Sequence, residues 1–108
     1  MKNLARSSTV RVLLVEDSLP IRQRVRSLIE ESGAATIVGE AGTVATALAR
    51  FYELKPDAVV LDLHLVEGSG YVVLKAVKKS RPHCMVIVFT NFSTHENEAH
   101  CRFLGADH

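Results

Sequence analysis

The residues able to do chemistry are three carboxylates and a hydroxyl, each at the end of an apolar run. Glu16 and Asp17 follow Val10-Arg11-Val12-Leu13-Leu14-Val15. Asp62 ends Ala58-Val59-Val60-Leu61, and Thr90 follows Met85-Val86-Ile87-Val88-Phe89. A buried, unpaired aspartate is strongly unfavourable because its charge loses water. Asp62 therefore needs a strand end or partners. If the runs are parallel strands of one sheet, all four residues emerge at the same edge. Asp17 and Asp62 on neighbouring strands would then bring carboxylates within reach of each other. Like charges that close call for a cation between them. Oxygen ligands with few other donors suit Mg²⁺, which keeps several of its waters. Taken singly, Asp17 reads as a helix cap, Thr90 as a strand-end hydroxyl and Asp62 as a turn aspartate. Their joint placement points to a small, acidic, partly hydrated metal pocket.

The elements that must position these groups alternate. Val10–Val15 is β-branched and apolar, as a buried strand requires. Ser18 can cap a helix with Pro20 in its first turn, an apolar face of Ile21, Val25, Leu28 and Ile29, and an end at Gly33. A weaker strand follows at Thr36–Ala41. Thr43 can cap a second helix with the face Val44, Ala47, Leu48 and Phe51, stopped at Lys55-Pro56-Asp57. After the strand ending at Asp62, Gly68 and Gly70 read as a loop. Val73, Leu74 and Val77 give a third helical face, closed by Arg81-Pro82. The strand Met85–Phe89 and a capping box at Ser93-Thr94-His95-Glu96 complete the pattern. The order β-α-β-α-β-α-β-α predicts a doubly wound α/β fold with a parallel sheet and helices on both faces. In such sheets ligands bind at the carboxyl ends of the strands.

Composition narrows the function. The chain has 108 residues, suited to one domain, with 47% hydrophobic residues, 23% charged and a net charge of +1. That balance gives no basis for broad nucleic-acid binding. Two cysteines, Cys84 and Cys101, are too few for a disulfide scaffold, so reduced thiols and a cytoplasmic location are expected. Cys84 is expected to be partly exposed. No stretch reads as a signal peptide or membrane span. Arg22, Arg24 and Arg26 read as a solvated helix face, the alternative being part of a docking surface.

These pieces together resemble the receiver domain of two-component response regulators, over nearly the whole chain from about Val10. Val15-Glu16-Asp17-Ser18 with Arg22 resembles the family's acidic pair and following arginine. Pro56 to Leu63 resembles the segment around the phospho-acceptor aspartate, and Gly70 the glycine eight residues beyond it. Phe89-Thr90 resembles the end of strand four, and Gly105-Ala106-Asp107 the approach to strand five. The resemblance implies a flavodoxin-like fold with strand order 2-1-3-4-(5). It implies that Asp62 takes a phosphoryl group from a phosphohistidine of a histidine kinase or phosphotransfer protein. Glu16, Asp17, Asp62 and the backbone carbonyl of His64 would hold Mg²⁺. Thr90 would hydrogen-bond the phosphoryl group and switch the strand-four/helix-four surface. Such a protein is a signalling phospho-acceptor rather than an enzyme, with the self-phosphorylation and self-dephosphorylation chemistry that the family implies. DNA would be reached only through an effector domain outside this chain.

The family's strand-five lysine and aromatic switch residue have no counterpart before His108. Residues 1–9 are therefore expected to be a short lead and 10–108 a receiver domain incomplete at its C-terminus, from a longer protein. Alone, it is expected to expose the edge of strand four and to aggregate, to form a homodimer or strand-exchanged dimer, or to recruit a partner. Asn91 stands where the family has a small residue that gives phosphoryl access, while His64 and Phe92 lie near the pocket mouth; Asn91 is expected to tune access and Phe92 to slow hydrolysis by shielding. Val66 stands where the family has proline. The alternative function is a degenerate receiver that docks or dimerises without phosphorylation. A flavodoxin-like nucleotide binder would want a Gly-rich phosphate loop after strand one, where this chain is acidic.

Overall fold

The computed structural model describes residues 9–63, 65, 68–89 and 107. The elements are β1 (Val10–Val15), α1 (Leu19–Glu31), β2 (Ala35–Ala41), α2 (Val44–Leu54), β3 (Ala58–Asp62), α3 (Gly70–Ser80) and β4 (Met85–Phe89). The strands form one sheet in the order β2-β1-β3-β4. Every ladder is parallel. The expected strand order therefore holds for the four described strands.

Side chains alternate across the sheet because successive strand residues point to opposite faces. Leu13, Val15, Val59, Leu61 and Val86 meet Ala47 and Phe51 of α2 and Val73, Leu74 and Val77 of α3. Val12, Leu14, Ile37, Ala58 and Val60 form the other layer, against Val25 and Ile29 of α1. The central strands are thus covered on both sides, which explains their near-continuous apolar sequence. Phe51, Leu13, Leu14, Leu61 and Leu74 are fully buried. Each such side chain contributes roughly 1.5–3 kcal/mol by leaving water.

The helix ends follow the sequence closely. The Ser18 side chain accepts from Ile21 N, and Pro20 occupies the first turn of α1. Thr43 and Thr46 form a reciprocal capping box at α2. Lys55 ends α2 in the left-handed region, with φ 48°. Arg11 donates to the carbonyls of Leu54 and Lys55 at 2.9 and 3.0 Å, closing that helix end from β1.

Four expectations are corrected. Leu28 is not on the buried face of α1; it is 63% exposed, and α1 is carried by half-buried Val25 and Ile29. Gly70 is not loop but the first residue of α3, capped by Ser69. Cys84 is buried rather than partly exposed, and its Sγ lies 3.6 Å from the Pro56 carbonyl. Burial pushes its thiol pKa up. Finally, Arg22 and Arg26 are not a solvated face, since both pair with Glu40 of β2, leaving only Arg24 exposed among the three.

Asp107 lies beside β4. Its N–H donates to Val86 O at 3.0 Å, and its Oδ2 accepts from Val86 N at 2.9 Å. Lys78 Nζ, at the end of α3, reaches Asp107 Oδ2 at 2.7 Å and the Cys84 carbonyl at 2.6 Å. Lys78 is thus a clasp between α3, the turn before β4 and Asp107. The expected capping box at 93–96, Val66 and Cys101 lie outside the described residues.

Candidate functional site

Parallel pairing brings the carboxyl ends of β1 and β3 together, with Val15 opposite Leu61. Glu16 extends the ladder by one bond, its N–H donating to Ala41 O at 2.9 Å. Asp62 is the last residue of β3 and sits opposite Phe89 of β4. Glu16, Asp17 and Asp62 each offer a carboxylate oxygen, and these oxygens all lie within 4.8 Å of one another. Glu16 and Asp62 are only 2% and 8% exposed, while Asp17 is partly open to solvent. The three carboxylates that the sequence grouped are therefore gathered at one sheet edge.

The electrostatics describe a site short of positive charge. Burial raises the Glu16 pKa from 4.5 to about 7. The Ser18 N–H, donating to Glu16 Oε2 at 2.7 Å, opposes that shift. The neighbouring Asp17 and Asp62 carboxylates add to it. A divalent cation reverses this logic, since it favours all three groups ionised. Three clustered oxygen donors, with one side open for water, fit a hard cation of the Mg²⁺ type.

The turn after β3 is shaped by α3. Gly70 N donates to Leu63 O at 2.9 Å. A Cβ at Gly70 would fall on the Asp62 carbonyl oxygen and lie 2.7 Å from Leu63 Cα. Only a glycine lets the helix start this close to the Asp62 backbone. His64, Thr90, Asn91 and Phe92, the other site residues read from the sequence, lie outside the described residues. Sequence reasoning missed Glu40 as part of the site's surroundings. Its signal was a charged residue near the end of a strand, facing arginines one helical turn apart.

The family model for the response regulator receiver domain matches residues 12–108. The chain belongs to this family. The receiver is 38% identical over 87 residues to the transcriptional regulatory protein YdfI of Bacillus subtilis, covering 79% of this chain and 40% of that protein. It is 32% identical over 87 residues to the DNA-binding transcriptional activator DevR/DosR of Mycobacterium tuberculosis, covering 81% of this chain and 40% of that one. This receiver chain thus spans about 40% of the length of those relatives. Among solved structures, a LuxR-family two-component response regulator from Aurantimonas sp. SI85-9A1 matches with a TM-score of 0.86 at 28% identity, over 92% of this chain and 71% of that one. The response regulator domain of Thermotoga maritima CheB matches with a TM-score of 0.84 at 27% identity, over 92% and 75%. The receiver fold read from the sequence is therefore the fold of this chain. Among the described residues no helix is long and apolar enough to cross a membrane.

Proposed function

We propose that this receiver takes a phosphoryl group on Asp62 from the phosphohistidine of a histidine kinase or phosphotransfer protein. The observation that carries this reading is the meeting of Glu16, Asp17 and Asp62 within 4.8 Å at the carboxyl edge of the sheet. In the transfer an Asp62 carboxylate oxygen attacks phosphorus, the phosphorus–nitrogen bond breaks, and the imidazole leaves with the electron pair. A carboxylate is a suitable nucleophile for an acyl phosphate. Glu16, Asp17, Asp62 and the backbone carbonyl of His64 would hold Mg²⁺. When bound, the ion supplies positive charge that screens the phosphoryl oxygens from the carboxylates. Glu16 keeps its orientation through the Ser18 N–H, and burial of Asp62 limits the water around the nucleophile. Thr90 would bond the phosphoryl oxygen and bias the surface formed by β4 and the segment after it. Asn91 and Phe92 would set access of hydrolytic water.

Residues 10–108 would form the receiver after a short lead, working in the cytoplasm. The relatives named for transcription support a DNA-binding output carried by a further domain. The test is intact mass after incubation with Mg²⁺ and a small-molecule phosphodonor. The wild type should gain one phosphoryl group and Asp62→Asn none. Equal gain in both would overturn Asp62 as the acceptor.

A further inference from the structure

Arg22 lies in α1 yet belongs, by its contacts, to the acidic turn. Its Nη1 donates to the carbonyl oxygen of Glu16 at 3.1 Å. Its Nε lies 2.9 Å from Glu40 Oε1, and that Nε is fully covered with no aligned acceptor, so the contact is an ion pair and not a directed hydrogen bond. Glu40 also pairs with Arg26, whose own second partner is Glu30 at 3.4 Å. A Cβ at Gly42 would lie 3.4 Å from Arg22 Nη1, 3.6 Å from Asp17 Cα and 3.7 Å from Glu16 O. The guanidinium, the end of β2 and the acidic turn are therefore in contact around one point.

That point controls a peptide plane. The Glu16 carbonyl and the Asp17 N–H belong to the same planar unit. A donor that fixes the carbonyl also fixes the plane from which the Asp17 side chain departs. The other holds on this turn act on Glu16 alone: its N–H donates to Ala41 O, and its carboxylate accepts from the Ser18 N–H. Arg22 is the described contact that spans the Glu16–Asp17 bond. Glu40 holds the guanidinium in turn, across from α1 on β2.

We infer that Arg22 is a positioning residue: braced by Glu40, it sets the Glu16–Asp17 peptide so that both carboxylates converge with Asp62 on one cation. The inference rests on the metal-dependent reading of the site. It assigns Arg22 no contact with the phosphoryl group. It also separates the two arginines that share Glu40, because among the described residues Arg26 pairs with Glu40 and Glu30 and not with the acidic turn.

The experiment combines two readouts on the whole chain. Mn²⁺ binding is counted by the loss of the free-ion electron-spin resonance signal, and backbone amide shifts are recorded on the metal-free protein. Removing an outer partner of a metal ligand costs about tenfold or more in affinity. Arg22→Gln should therefore weaken Mn²⁺ binding about tenfold and shift the Asp17 and Ser18 amides without metal. Arg22→Lys, which can reach one of the two acceptors but not both, should fall between Gln and wild type. Arg26→Gln should weaken binding much less than Arg22→Gln. A lower melting temperature for Arg22→Gln with unchanged Mn²⁺ affinity and unmoved Asp17 amide would overturn the inference, leaving Arg22 a structural brace. Equal losses from Arg22→Gln and Arg26→Gln would also overturn it, since the charge around Glu40 would then be the cause. A wild type that binds no Mn²⁺ would refute the metal-dependent reading itself and the inference with it; a wild type that binds Mn²⁺, with the loss falling chiefly on Arg22→Gln, supports both.

Discussion

Replacing Gly70 by alanine tests whether the first turn of α3 sets the position of Asp62. The added Cβ would fall on the Asp62 carbonyl oxygen, 2.7 Å from Leu63 Cα and 3.1 Å from the Asp62 carbonyl carbon. Ordinary carbon–carbon contact is about 3.5–4.0 Å, so the Leu63 contact is roughly 0.8 Å too short. The obstructing atoms are backbone, and no rotamer change relieves them. Either the start of α3 or the Asp62–Leu63 peptide must move, and overpacking of this kind costs about 1–3 kcal/mol. The gain from alanine over glycine in a helix is about 0.5–1 kcal/mol, so the net effect is a loss. Displacing a nucleophile by about 1 Å costs up to about a hundredfold in rate. The assays are urea unfolding of the variant and its rate of phosphorylation by a small phosphodonor at saturating Mg²⁺. A lower urea midpoint and a rate reduced more than tenfold (about 1.4 kcal/mol of barrier) are expected. A Gly70→Ala protein as stable and as fast as wild type would refute the claim that this close approach shapes the site.

Two further predictions concern charge. The Glu16 pKa is raised on folding, so the folded state holds the proton more tightly than the unfolded chain. That contribution is complete below pH 4.5, declines as pH rises, and is lost above about pH 7. Metal-free protein should therefore lose stability across this window, by about 1–3 kcal/mol after allowing for solvent screening, and Mg²⁺ should restore it above pH 7, by about 2.7 kcal/mol at a hundred times its dissociation constant. Melting curves across pH, with and without Mg²⁺ and repeated on Glu16→Gln, check this; a wild-type pH profile matched by Glu16→Gln would exclude Glu16 as its source. Lys78→Met should lower the urea midpoint, because it removes the charged donor to the Cys84 carbonyl and the Asp107 carboxylate at the edge of β4. Hydrogen bonds to charged groups contribute about 1.5–3 kcal/mol each, and an unchanged midpoint would show that the clasp is not formed in solution.

The strands were legible because their burial on both faces leaves an unmistakable apolar run, and β1 and β4 fall on the very residues the sequence indicated. The caps at Ser18 and Thr43 were legible for a different reason: the hydroxyl and the backbone it serves are neighbours in sequence. Gly70 was misread because glycine means two things in sequence, a turn or a close approach, and only the packed helix shows which. Leu28 was misplaced because the apolar contact of α1 with the sheet runs through Val25 and Ile29, leaving Leu28 in water. A helical period shows which residues share a side but not how wide a stripe the sheet will cover.

The same distinction separates the acidic site from its surroundings. Three carboxylates at the ends of two parallel strands converge by topology, so the sequence order alone places them together. Arg22 and Glu40 meet through the docking of α1 against β2, which no strand order dictates. The pairing of β1 with β2 slips between Val12 and Leu13, so that Leu13 faces Gly39 and Leu14 faces Glu40. Without that irregularity Glu40 would sit one step along the strand from where Arg22 finds it. A one-residue change of register turns a side chain to the other face of the sheet. The chemical groups of this site thus follow from where strands end, while the brace behind them depends on a local bulge and a helix docking angle.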